Sequence, residues 1–180
     1  AANIEEGNKD WLIDDLKNLQ ELGLKCLDIV DISAVDKKIW EPRFEKADIL
    51  FFSGGNTYHL MEWMNKSGLT KLLPEFLKTK VYVGISAGSM VTGPDLALEI
   101  SQIVYEEDFD KSYMPGLNFV DFYFLPHLNS KWFPQVREAN IRKEAKTLKR
   151  KTYAVDDMSA LKIVDGKVDV VSEGKWIEVN

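Results

Sequence analysis

Four short stretches bring together residue types able to do acyl-transfer chemistry. In VGISAGS, residues 83–89, Ser86 lies between small residues in a G-x-S-x-G pattern that follows the apolar run VYV. That pattern places a serine on a sharp strand-to-helix turn, where small neighbours let the backbone bend and turn N–H groups face developing negative charge. An alcohol is a weak nucleophile at neutral pH and needs a general base. The chain has two histidines. His59 falls within a helical stretch and reads as a partly buried structural residue, whereas His127 directly follows DFYFLP, at the carboxyl end of a strand-like run. A histidine base needs a carboxylate to set its tautomer, and TYAVDDMSA offers Asp156 and Asp157 just beyond another strand-like run. Spacing alone does not choose between the two acids.

Blander readings compete at each position: a structural turn at Ser86, a strand-capping histidine at 127, a solvated acidic turn at 156–157. What favours the chemical reading is that each residue follows its own apolar run, in the order Ser, His, Asp. The α/β-hydrolases run Ser, Asp/Glu, His, so the serine pattern does not imply their fold. SGGN, residues 53–56, follows the apolar DILFF. Its two glycines free backbone N–H groups to approach a substrate, supplying one oxyanion donor while the N–H of Ala87 supplies the other. Neither a Walker lysine nor a GxGxxG pattern accompanies it, which weakens a phosphate-binding reading. Two separated histidines and one cysteine form no metal-ligand cluster, and no cofactor is expected.

These residues need elements to hold them. Trp11, Leu12, Leu16, Leu19 and Leu22 recur at helical spacing before Gly23, and the strand-like KCLDIV follows. A polar helix over 35–47 leads to DILFF, and another helix begins near Thr57. Helical spacing resumes over 69–77, where Pro74 marks a break or a new turn. The third strand is VYVG; DFYFLP and TYAV are further strands, separated by an amphipathic helix over 134–148 that Pro134 opens. The C-terminal SALKIVDGKVDVVSEGKWIEV reads as a three-stranded antiparallel meander turning at Asp165-Gly166 and Glu173-Gly174. Alternating strands and helices closed by hairpins predict an α/β sandwich with a mainly parallel sheet, whose strand carboxyl ends collect the reactive residues.

With 180 residues, 45% of them hydrophobic, the chain suits a single domain over 1–180. The net charge of −6 gives no basis for gripping a polyanion, and nucleic acid is not an expected partner. The basic run RKEAKTLKRK reads as a solvated helix face. The lone Cys26 reads as a small buried hydrophobe and suits a reducing compartment. No apolar run reaches membrane-spanning length and AANIEEGN is unlike a signal peptide, so a cytoplasmic protein without membrane partners is expected.

Taken together, FFSGGNTYHL, VGISAGS, LPHLN and AVDDMSA resemble the dipeptidase E (alpha-aspartyl dipeptidase) family of serine peptidases, with cyanophycinase as a more distant relative. The resemblance implies a three-layer α/β fold like that of class I glutamine amidotransferases and hydrolysis of small peptides, including dipeptides with N-terminal aspartate. It also implies Ser86 as nucleophile, His127 as base and Asp157 as the acid, where the dipeptidase has glutamate. Gly55 and Ala87 would form the oxyanion hole, with Asn56 of the GGN motif as a substrate contact. VREANI resembles the segment whose arginine binds the substrate's aspartyl carboxylate, which points to Arg137. Either Asp95 or Glu99 would meet the substrate's amino group. AANIEEGN resembles the segment that follows the family's first strand, helix and strand, so the chain is expected to lack that unit. Either the sequence is a fragment of a longer chain, or a second copy or another chain would cover the exposed sheet edge.

Overall fold

Apolar runs of three to six residues, bounded by glycine or polar breaks, form the paired strands of the computed structural model, which describes residue 4, residues 6–107 and residues 113–180. The chain divides into two compact units, residues 1–88 and 89–180. In the first, helix α1 (Asp10–Glu21) ends as its spacing predicts: Gly23 takes a left-handed φ of 72° and donates to the Gln20 carbonyl. Helix α2 (Lys37–Lys46) buries Trp40, and Lys80 Nζ donates to the Glu45 and Ala47 carbonyls, satisfying orphan acceptors at its carboxyl end. Strands β1 (Ile49–Phe52) and β2 (Val81–Gly84) pair in parallel, with Ile49 opposite Val81 and Phe52 opposite Gly84. Between them, α3 (Thr57–Lys66) and α4 (Leu69–Phe76) bury Leu60, Met61, Met64, Leu69 and Leu73.

Two expectations for this unit fail. KCLDIV forms no strand and Cys26 is exposed. Alternating apolar residues make a strand only where a ladder partner is available; here the segment is held instead by Arg43, which grips the Asp28 carboxylate and donates to the Ile29 carbonyl. Nor does Pro74 interrupt α4. It sits in the last turn of an eight-residue helix, so its missing N–H removes a single backbone bond, while Leu69 and Leu73 anchor the buried face.

The chain enters the second unit within the single-turn helix α5 (Ala87–Met90) and continues into α6 (Leu98–Val104). Strand β3 (Tyr123–Leu125) pairs in parallel with β4 (Thr152–Val155), whose four residues are all buried. Between these strands lies α7 (Glu138–Glu144), which continues as a 3-10 turn over Ala145–Thr147. The expected helix from Pro134 is therefore shorter. Residues 134 and 135 form a turn, with Val136 N–H donating to the Phe133 carbonyl, and Arg137, extended at φ −124°, ψ 147°, sets the helix start at Glu138 while its guanidinium is spent on loop carbonyls.

Strands β5 (Ser159–Val164) and β6 (Lys167–Ser172) form the predicted hairpin, with Asp165 and Gly166 both at positive φ. The third strand of the expected meander goes elsewhere: β7 (Trp176–Val179) pairs antiparallel with β4, not with β6. Burial explains the choice, because on β4 it brings Val179 and Ile177 to the apolar cluster of Ile100, Leu125, Val136, Ile141 and Ala154. Each large side chain buried there contributes about 1.5–3 kcal/mol, more than a solvated hairpin edge offers.

Candidate active site

In the first unit, Ser86 follows β2 with a left-handed φ of 50°, the conformation that a tight turn at a strand end requires. Two contacts hold the turn: Ile85 N–H donates to the Phe52 carbonyl, and Tyr82 OH donates to the Gly88 carbonyl at 2.6 Å. Burial pushes the Tyr82 phenol far up, so it stays protonated and remains a donor. At Gly88 a side chain would overlap the Phe52 carbonyl, which explains the last glycine of G-x-S-x-G as a packing requirement between the elbow and β1. Gly88→Ala is expected to destabilise the protein by at least about 2 kcal/mol through overpacking, read as a lowered urea midpoint at unchanged slope.

Gly54 and Gly55 follow β1, and Gly54 lies against this turn within the same unit. A Cβ on Gly54 would stand 3.3 Å from Ser86 Cβ, 3.8 Å from its Oγ and 3.5 Å from Cζ3 of Trp11. Hydrogen at residue 54 therefore keeps open a slot between the Trp11 indole and the serine hydroxyl. Gly55 has φ 105°, a backbone state that glycine alone adopts readily. Ala87 is fully buried. Asn56 caps α3, its Oδ1 accepting the His59 N–H at 2.8 Å. His59 itself is half-buried in α3, and burial holds its imidazole below the ordinary histidine value, which fits the structural role expected of it.

In the second unit, His127 follows β3 and Asp157 follows β4, and the parallel pairing of those strands brings their ends side by side. His127 Nδ1 and Asp157 Oδ1 are 2.7 Å apart, a hydrogen-bonded pair. His127 also has a left-handed φ, 68°, and its ring stacks on Phe133 with centroids 4.4 Å apart and 17° between planes. Phe133 is held edge-on by Tyr105, whose OH donates to the carbonyl of Pro126, the residue before the histidine. Phe133 was not legible as a site residue, since nothing in KWFPQ marks which ring would reach the imidazole.

Asp156, the other acid of the pair, faces away from this contact. Its Oδ1 accepts from Ser159 Oγ at 2.7 Å and Met158 N at 3.1 Å, and its Oδ2 accepts from Lys175 N. Burial works against its charged form, but these three donors outweigh it and hold the carboxyl below the usual carboxylate range. A lowered folded-state value means that Asp156 contributes stability above its unfolded value, and that this contribution is lost as pH falls through the folded one, below about pH 4.

Arg137 caps α7 and points Nη1 at the carbonyls of Ser130, Phe133 and Val136, at 3.0–3.1 Å. Asp95 accepts from Tyr123 OH and from Ala97 N, both at 2.8 Å; burial and then this bond raise the Tyr123 phenol. Asp95 and Glu99 line one small cavity of about 120 Å³ with Tyr113 and Met114. No group of three or more His, Cys, Asp or Glu residues suited to a metal ion occurs among the described residues, and no described helix is long and apolar enough to cross a membrane.

A strand-end serine in one unit and a strand-end histidine–aspartate pair in the other are residue types that serine hydrolases use. The sequence profile of peptidase family S51 matches residues 2–171, and the chain belongs to that family. An uncharacterized peptidase of Pasteurella multocida is 29% identical over 144 residues, spanning 77% of this chain and 66% of its own length. Peptidase E of Shewanella oneidensis is 30% identical over 132 residues, 72% of this chain and 51% of its own. The chain thus spans between half and two-thirds of these relatives. Among solved structures, one from Listeria monocytogenes EGD-e, provisionally assigned to peptidase E, superposes with a TM-score of 0.80 at 26% identity, over 97% of this chain and 83% of that one. A peptidase from an acI-B1 actinobacterium matches with a TM-score of 0.67 at 20% identity and supports the fold. The α/β, glutamine amidotransferase-like architecture expected from the sequence is therefore present, with a parallel β1–β2 pair and antiparallel C-terminal strands.

Proposed function

We propose that the chain carries the catalytic machinery of a serine peptidase that cleaves small peptides, dipeptides with N-terminal aspartate among them. The observation that carries this reading is the 2.7 Å bond between His127 Nδ1 and Asp157, which commits Nδ1 and leaves Nε2 as the basic nitrogen. Ser86 attacks the peptide carbonyl as His127 takes its proton. The N–H groups of Gly55 and Ala87 stabilise the resulting oxyanion, and His127 returns the proton to the leaving amine. Water, activated by the same imidazole, then hydrolyses the acyl-enzyme. Asn56, already spent on the α3 cap through Oδ1, retains its amide N–H groups for a substrate contact.

Substrate choice rests on Arg137. Its Nη1 is spent on loop carbonyls, which fixes the guanidinium and leaves the edge formed by Nε and Nη2 as a fork matched to a carboxylate. Arg137→Lys keeps the charge and removes the fork. A charge-assisted bond of this kind is worth about 1.5–3 kcal/mol, so kcat/KM on an Asp-X dipeptide is expected to fall about 10- to 100-fold. Turnover of Ala-X, measured in the same assay, should stay within about threefold. Equal losses on both substrates would reduce Arg137 to a loop staple and remove the aspartate preference.

A further inference from the structure

We infer that Asp156 is a positioning residue for the site proposed above, on which this inference rests: its carboxylate ties the turn after β4 to the loop between β6 and β7 and so fixes where Asp157 meets His127. Asp157 is exposed, with 57% of its side chain accessible, and packing does little to hold it. Its place is set by its backbone. Residues 156–159 form a β-turn closed by Ser159 N–H donating to the Asp156 carbonyl at 3.2 Å, with Asp157 and Met158 as the central residues. Asp156 reinforces that turn from within, because its Oδ1 takes the Met158 N–H, and from outside, because its Oδ2 takes the N–H of Lys175. The backbone repeats the second link: Asp156 N–H donates to the Lys175 carbonyl at 2.9 Å, and Glu173 N–H donates to Met158 O at 3.1 Å.

The chemistry of the partners gives this network a direction. An ionised carboxylate only accepts, so Ser159 Oγ–H must point at Asp156 Oδ1. Ser159 has then spent its proton, and in the 2.6 Å contact with Ser172 it is Ser172 that donates. Ser172 Oγ in turn accepts from Gly174 N–H at 3.1 Å. The chain runs Gly174 N–H, Ser172, Ser159, Asp156, with every hydroxyl proton committed. It ends on the residue adjacent to the one that holds the histidine. Glycine at 174 belongs to the same device, since a side chain there would overlap the Asp156 carboxylate.

Two histidines in the whole chain make the test direct, because ¹⁵N shifts of the imidazole nitrogens report which one carries the proton, with His59 as an internal control. At alkaline pH the full protein should hold His127 mainly as the Nδ1–H tautomer. Asp157→Ala should shift it toward Nε2–H. Asp156→Ala is expected to produce a shift in the same direction, with kcat lowered about 10- to 100-fold by misplacement and KM on the dipeptide little changed. Ser172→Ala, which cuts the chain at a distance and removes no charge, should give a smaller shift of the same sign, and it covers the case in which Asp156→Ala fails to fold. If Asp156→Ala and Ser172→Ala keep the wild-type tautomer and kcat while Asp157→Ala loses both, the positioning role is overturned and the triad reading stands. If Asp157→Ala itself changes neither, both fall together.

Discussion

Ser86→Ala is expected to abolish hydrolysis of Asp-X dipeptides, by roughly 10⁴- to 10⁶-fold in kcat, as loss of the nucleophile does in serine proteases. The urea unfolding curve should stay close to that of the parent. The change removes one oxygen and leaves in place the contacts that make the turn: the Ile85 N–H bond to Phe52 and the Tyr82 OH bond to the Gly88 carbonyl. Alanine also accepts the left-handed backbone at 86 no better and no worse than serine, so strain does not change. A fluorophosphonate, which reacts with activated serines, should add once to the parent chain and not to this variant. Labelling of the parent at another residue, or undiminished turnover by the variant, would remove Ser86 from the mechanism.

Asp157→Asn should lower kcat by about 10²-fold with little change in KM. In the Ser-His-Asp serine proteases the equivalent replacement of a buried aspartate costs about 10⁴, because the amide favours the wrong imidazole tautomer. A smaller loss is expected here since Asp157 is 57% exposed and water can take over part of its role. The Phe133 ring, stacked on the imidazole, would still hold the ring plane. Asp157→Glu restores the acceptor on a longer arm and should recover part of the rate. A glutamate variant no better than the asparagine one would mean that the acid's negative charge is not what His127 uses.

The serine elbow and the His–Asp contact were legible because each depends on local signals: an apolar run, a break, and one chemically able residue just after it. The parallel pairing of β3 with β4 then converts that sequence pattern into proximity of His127 and Asp157. Asp156 and Asp157 were indistinguishable on spacing because they are adjacent, and what separates them is a turn whose second anchor, Lys175, lies far along the chain. The course of β7 was misread for a related reason. Its pattern fits a meander equally well, and only the buried cluster under Ile177 and Val179 decides against it. Helix length between β3 and β4 was overestimated because periodicity carries no trace of a guanidinium that prefers loop carbonyls. KCLDIV has the composition of a strand without a ladder partner among the described residues.

Both residues proposed to exchange the proton, Ser86 and His127, sit at positive φ, where a side chain costs of order 1–3 kcal/mol. Drift toward glycine at either place would relieve that strain and firm up the scaffold at the expense of chemistry. A lineage selected for robustness alone would shed these two side chains early, so a paralogue that has taken up a purely scaffolding role should be recognisable by glycine or asparagine at positions 86 and 127.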